Sequence, residues 1–372
     1  MKEDKLNIAL FSPNKNPYSE TFIQAHKNLL RGNVFYYYGK PNKIRLEGSK
    51  QIVPKFKSLI LKLKRKIVKQ SLHDTIKQTL LLSFKTHKID VIFVEYGTHA
   101  FNLRHILKAS GLPVVTIFHG FDASVYKVVK RCNNYKEVFE LSTSIIAVSK
   151  KMVNMLSDLG CDKNKITHTP CAPANVFFDV QPKYSKQQFL SVGRFVDKKA
   201  PYITIMAFKK VIDQYPNAKL FMAGEGELLN TCKNLSKLWN LEDHIVFMGV
   251  ISSEEYQELL SESLAYVQHS ITANNGDMEG TPVSVLEASI AGLPIVSTNH
   301  AGIPDVVING ETGLLCNELD VDAMAQHMLQ LLTDKSLAKR LGSTGKSHTQ
   351  KYFSMKQHID SIQSVLEDSI AI

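Results

Sequence analysis

Short apolar runs rich in β-branched and aromatic residues alternate along the chain with longer stretches in which apolar positions recur at helical spacing. The runs predict strands at Leu6–Phe11, Val34–Tyr37, Val91–Val94, Val114–Phe118, Ile145–Val148, Phe189–Val192, Lys219–Met222, Ile245–Phe247, Leu264–Val267 and Pro294–Ser297. Helices are expected between and after them, at Glu20–Leu30, Phe101–Lys108, Tyr202–Gln214, Ser284–Ala291 and Met355–Asp368. Parallel strands need crossovers, and the intervening lengths suit helices. The class is therefore α/β with parallel sheets. The pattern restarts near residue 186, after a polar, proline-bearing stretch, and 372 residues exceed what one core holds comfortably. Two domains follow, at 1–180 and 181–352, with the final segment 353–372 expected to pack back on the first.

Composition narrows the class. With 44% hydrophobic and 22% charged residues the chain is ordinary globular protein, and no run of eighteen apolar residues offers a membrane span. The N-terminal segment is too short and too acidic at its front for a secretory leader. Five scattered cysteines without a CxxC pair imply neither a disulfide framework nor a zinc site. A cytoplasmic location is the expectation.

A net charge of +10 calls for an anionic partner. Between Gly48 and Leu72 stand eight Lys/Arg and no acid, with Phe56, Leu59, Ile60, Leu63 and Ile67 at helical spacing. This predicts a basic amphipathic helix over 55–69. It either attaches to an anionic membrane surface, at about 1 kcal/mol per basic residue, or packs its apolar stripe inward with the lysines in water; both can hold. Nucleic acid is disfavoured as a partner, because no interleaved aromatics or recognition module accompany the charge.

Glu279, Gly280, Thr281 and Pro282 end a loop and open a helix, with Thr281 suited to the N-cap and Pro282 to the first helical position. A helix start offers free N–H groups and partial positive charge to phosphate or polarised oxygens. Glu287 lies about a turn and a half inside, so two carboxylates can flank a ligand there. Two glutamates eight apart are ordinarily solvated surface charges; flanking Gly280, Pro282, Val283, Val285 and Leu286 argue against that here. Gly193 ends a strand and lets a ligand approach the backbone. Arg194 and Lys199 can then clamp a diphosphate, the bland alternative being exposed basic residues ahead of a helix. Gly224 and Glu225 repeat the strand-then-glycine theme. His119, before Gly120, also follows a strand and can meet a sugar hydroxyl, although a lone histidine is more often structural. Asp320 and Asp322 match the metal-binding DxD spacing, but they read as the N-cap of a helix Ala323–Leu332. No catalytic metal or cofactor is expected.

Taken in order, these segments resemble retaining glycosyltransferase family 4. Its signature E-x7-E is Glu279 to Glu287, and 268–288 together with 19–23 resemble the branch that builds bacterial exopolysaccharides such as colanic acid. Further matches are Phe118-His119-Gly120, Val192-Gly193-Arg194, Ala223-Gly224-Glu225-Gly226 and Ala301-Gly302-Ile303-Pro304-Asp305. The resemblance implies the GT-B fold: two Rossmann-like domains whose parallel sheets face across a cleft, the first on the acceptor side, the second binding the donor. It implies that Arg194 and Lys199 neutralise the donor diphosphate and that Glu287 accepts from the ribose hydroxyls. Gly193, Gly224 and Glu225 would lie near the nucleotide. Glu279 and the backbone of Gly280, Thr281, Pro282 and Val283 would hold the transferred sugar, with His119 touching it from the other side. Ser19 and Glu20 would belong to the first, acceptor-side loop.

The implied reaction is retaining, metal-independent transfer of a hexose from a UDP- or GDP-sugar to a glycan or lipid-linked acceptor in bacterial surface polysaccharide synthesis. It would take place at the inner face of the plasma membrane. The sequence departs from the family in lacking a Gly-Gly pair in 13–18, in reading Cys171-Ala172-Pro173-Ala174 where Asn-Gly-Val-Asp is common, and in Ala200 and Asp305 where Gly and Glu are usual. The alternatives are a nucleotide-sugar 2-epimerase, which needs no acceptor, and a non-enzymatic two-lobed sugar-binding protein, which would be exported.

Overall fold

The computed structural model describes residues 5–15, 21–53 and 71–371. Ser19, Glu20 and the basic segment 55–69 therefore lie outside the described residues. The chain divides into two compact units, 1–169 with 358–372, and 170–357.

The first unit is built on a seven-stranded sheet of order β3-β2-β1-β4-β5-β6-β7, formed by β1 Asn7–Ser12, β2 Asn33–Tyr38, β3 Arg45–Leu46, β4 Val91–Glu95, β5 Val114–Phe118, β6 Ser144–Ala147 and β7 Ile166–His168. All neighbours pair parallel except β2 with β3. The second unit has a six-stranded parallel sheet of order β10-β9-β8-β11-β12-β13, from β8 Gln188–Val192, β9 Lys219–Ala223, β10 Ile245–Gly249, β11 Ala265–Val267, β12 Ile295–Thr298 and β13 Gly313–Cys316. Both units are thus α/β with parallel sheets, as the alternating pattern requires.

Strand β8 shows how the second core is made. Phe189 enters one apolar layer with Ile205, Phe208 and Met328, and the next residue, Leu190, enters the opposite layer with Tyr256, Val285 and Leu286. A strand buried on both faces reads as a continuous apolar run, as it does here. Each such side chain contributes about 1.5–3 kcal/mol by leaving water.

Three strands escape the apolar pattern. β3 has two residues, and β7 has three half-buried ones at a sheet edge. β13 opens on Gly313, where a Cβ would lie 2.5 Å from the Ile295 carbonyl oxygen. Helix Gly97–Ser110 begins four residues before the expected Phe101, because Gly97 and His99 are buried although the pattern does not mark them as core.

The strand order positions the sites. In the second sheet the chain leaves β8 toward β9 on one side and reaches β11 on the other, a topological switch point at which the carboxyl ends of β8 and β11 open a crevice. β1 and β4 form the equivalent point in the first sheet.

Candidate functional site

At the carboxyl ends of β8 and β11 a small pocket is lined by Gly193, Arg194, Lys199, Ala223 and Gln268. The loops after β8, β9 and β10 are zipped by backbone bonds: Gly193 N–H to Ala223 O at 2.9 Å, Phe195 N–H to Glu225 O at 2.9 Å, and Gly224 N–H to Gly249 O at 2.7 Å. This closeness demands glycine. Gly224 has φ +131°, and a Cβ there would sit 2.0 Å from the Gly193 carbonyl oxygen. Glu225 takes part through its carbonyl, and its side chain is exposed.

Arg194 is exposed, but Lys198 and Lys199 are not, with side chains 7% and 14% accessible. Of the two basic residues of the expected clamp, the alternative of exposure ahead of a helix thus describes Arg194 but not Lys199. Lys199 Nζ stands 3.1 Å from Gln268 Oε1 and 3.2 Å from Glu279 Oε1. Burial pulls the Lys199 ammonium below its ordinary range, and Glu279 only partly opposes this. Burial alone would raise the Glu279 carboxyl; the attraction of Lys199, with Lys198 beside it, overcomes this and holds the group ionised, below the usual carboxylate range.

The helix after Glu279 runs Val283–Ala291, one residue earlier than the apolar spacing predicts and one later than a start at Pro282. Pro282 occupies the N-cap, with φ −74° and ψ 101°, and Val283 is the first helical residue. Thr281 is therefore not the cap; its Oγ1 accepts from Cys171 N–H at 3.2 Å. Glu287 is half-buried, and among the described residues no hydrogen bond or ion pair reaches its carboxyl. Burial raises that carboxyl to about 8. Asp320 caps its helix, accepting from Ala323 N–H at 2.9 Å, and Asp322 pairs with Lys210 at 2.7 Å.

In the first unit His119 follows β5. Its ring packs between Phe22 and Tyr96, with centroids 4.4 and 4.7 Å away, and its Nε2 faces Glu95 Oε2 at 3.3 Å. Glu95 is fully buried. Burial would raise its carboxyl, but the charge of His26 and hydrogen bonds from His119 and His26 bring it down to about 2. His26 Nδ1 lies 2.6 Å from Glu95 Oε1, and its Nε2 lies 2.8 Å from His358 Nε2. Asp122 fixes the turn by accepting from His119 N–H at 2.7 Å and Gly97 N–H at 2.5 Å. Gly97 is obligatory, since a Cβ there would lie 2.1 Å from the Phe118 ring. Tyr96 pays for this geometry with φ +72°, a conformation that costs a non-glycine residue of order 1 kcal/mol or more.

Arg194, Lys199, Glu279, Gly193 and Gly224 thus belong to the second unit, and His119 to the first. Sequence reasoning missed Gln268, His300 and Glu95. Gln268 directly follows β11 at the switch point, a position that topology singles out; nothing local marks the other two.

This arrangement has known counterparts. The crystal structure of Anabaena Alr3699/HepE in complex with UDP-glucose superposes with a TM-score of 0.76 at 13% identity, over 98% of this chain and 100% of that one. The fold is therefore GT-B, the two-domain architecture of a large class of glycosyltransferases. Residues 54–172 match the family described as Glycosyltransferase Family 4, and residues 175–348 match Glycosyl transferases group 1. Together these two matches take in most of the chain, which belongs to glycosyltransferase family 4.

Two similar proteins are WcaL of Escherichia coli K12, named for glycosyl transfer in colanic acid biosynthesis, and the amylovoran biosynthesis glycosyltransferase AmsK of Erwinia amylovora. WcaL is 29% identical over 258 residues, 67% of this chain and 63% of WcaL. AmsK is 30% identical over 254 residues, 66% of this chain and 62% of AmsK. The match spans a little over three fifths of the length of these curated relatives. Among the described residues no helix is long and apolar enough to cross a membrane.

Proposed function

We propose that this chain transfers a hexose, with retention of anomeric configuration and without a catalytic metal, from a UDP- or GDP-sugar to a glycan or lipid-linked acceptor of bacterial surface polysaccharide. The observation that carries this is the switch-point pocket of the second unit, where Arg194 and Lys199 stand together and Lys199 is paired with the buried Glu279. A site that offers cations to a diphosphate and carboxylates to hydroxyls suits a nucleotide sugar. The complex of Anabaena HepE with UDP-glucose supports the donor class, and the names of WcaL and AmsK support the acceptor class.

In this reading the acceptor hydroxyl attacks the anomeric carbon on the face from which the diphosphate leaves. The departing phosphate oxygen takes the hydroxyl proton, so no side chain need act as nucleophile. Arg194 and Lys199 stabilise the leaving diphosphate, and Glu279 and His119 orient the sugar. The enzyme would work at the inner face of the plasma membrane.

Calorimetry against a panel of UDP- and GDP-sugars tests the donor assignment. Arg194→Ala and Glu287→Ala should each weaken the donor that binds by about tenfold or more, and Glu279→Ala should lower turnover and weaken the nucleotide sugar relative to its diphosphate. Wild-type behaviour of all three would refute the site. Turnover should survive EDTA; loss restored by manganese would refute metal independence.

A further inference from the structure

The segment 271–280 has no regular secondary structure, yet it must deliver a buried carboxylate to one place. Three side chains outside the nucleotide pocket hold it. His300, 1% exposed, accepts from the Glu279 N–H through Nε2 at 3.2 Å. A nitrogen that accepts carries no proton, so the proton of the neutral ring is assigned to Nδ1, which lies 2.6 Å from Glu318 Oε1. Glu318 also accepts from the Thr272 N–H at 2.9 Å through its other oxygen. One carboxylate therefore ties the start of the loop to the imidazole that ties its end.

Lys198 grips the same loop from the opposite flank. Its buried Nζ meets Asp277 Oδ1 at 2.9 Å and the Met278 carbonyl at 3.0 Å, and its own carbonyl accepts from Ile271 N–H at 2.9 Å. The neighbouring Lys199 then reaches Glu279 itself.

From these contacts we infer that His300, Glu318 and Lys198 are positioning residues for Glu279, fixing the loop so that its carboxylate faces the transferred sugar. The inference rests on the proposed role of Glu279 in holding that sugar. It assigns Lys198 a role distinct from that of Lys199, although the two are adjacent in sequence. Without these ties the loop would lose every side-chain anchor named above except the Lys199–Glu279 ion pair. That pair links the carboxylate to the same cation the diphosphate needs.

The test compares His300→Phe, Glu318→Gln and Lys198→Met with the wild-type full chain by calorimetry. The ligands are UDP and GDP, and the tightest-binding of the glucose, galactose and mannose conjugates of whichever diphosphate binds. Positioning predicts that the ratio of conjugate Kd to diphosphate Kd rises about tenfold, the size of one well-made hydrogen-bond tie, while the diphosphate Kd stays within about twofold. In a Glu279→Gln background the same substitutions should add nothing to the ratio.

Equal weakening of both ligands, or an additive effect in that background, would show a merely structural role and overturn the inference. Glu318→Gln changes a partly exposed residue with little change of shape, so it reports even where His300→Phe fails to fold. Amide exchange of the 272–280 peptide, read without ligand, should quicken in His300→Phe or Glu318→Gln; unchanged exchange overturns the claim. Failure of the wild type to bind either diphosphate would instead sink the donor reading, and exchange would still decide whether the loop is held.

Discussion

Glu287 offers the sharpest quantitative test, because its carboxyl is buried and no partner reaches it among the described residues. Its proton affinity rises from the model-peptide range near 4.5 to about 8 on folding. The folded state therefore binds more protons than the unfolded one between these values, and stability falls as pH rises through that window. A glutamine of the same shape removes this penalty. Linkage gives roughly 3 kcal/mol at pH 7, and solvent access to a half-buried side chain lowers the expected gain to about 2 kcal/mol. Glu287→Gln should thus be more stable than the wild type at neutral pH and equal to it near pH 4.

The assay is urea unfolding followed by the fluorescence of Trp239, the only tryptophan, which lies in the second unit. The same variant should bind the nucleoside diphosphate more weakly, since a carboxylate accepts from two hydroxyls better than an amide does. Donor binding to the wild type should also release protons below pH 8, read as a buffer dependence of the calorimetric enthalpy. A variant no more stable at pH 7 than the wild type, or a gain independent of pH, would refute the reasoning.

Two further substitutions probe the scaffold. Glu95→Gln should destabilise the first unit by about 3 kcal/mol, the cost of unbalancing a buried charged pair. Because the folded Glu95 titrates at about 2, the gap should be full above pH 4.5 and close as pH falls toward 2; circular dichroism melts measure it, and a pH-independent gap would count against the ionised pair. Gly224→Ala places a Cβ against the Gly193 carbonyl at positive φ, so it should cost about 2–4 kcal/mol and abolish nucleotide binding; a variant that binds normally would deny the close approach of the two loops.

The parts of this protein that are legible in its sequence are those with local causes. Val114–Phe118 and Met355–Asp368 form with the bounds their apolar spacing predicts, and Asp320 caps its helix as a short acidic side chain does. Gly193, Arg194 and Glu279 stand out because turn chemistry and charge coincide with strand and helix ends. What escapes is set by distant partners. Lys198 and Lys199 are neighbours of the same type, and only contacts about seventy to eighty residues away separate their roles. His300 acquires meaning from Glu279 and Glu318, Glu95 from His26 and His119, and no period or motif announces either set. Thr281 and Pro282 differ from expectation by a single position because Thr281 is drawn to Cys171 instead of its own helix.

The buried acids then separate by what surrounds them. Glu95 has two histidines, and Glu279 has Lys199 as its direct partner with Lys198 near enough to stabilise its charge; both are held ionised despite burial. Such groups are fixed parts of the frame, since removing a partner strands a charge in a dry interior. Glu287 has burial and, among the described residues, no partner, and its raised proton affinity is the result. A fold selected for stability alone would have closed that position with an apolar or amide side chain at a gain of about 2 kcal/mol. The arrangement is intelligible if the missing partner arrives with the ligand. Two adjacent hydroxyls donating to one carboxylate would satisfy Glu287 as the histidines satisfy Glu95. On the proposed reading, the acid without a partner among the described residues is the one kept for the ribose, and the paired acids are each held in place within their own unit.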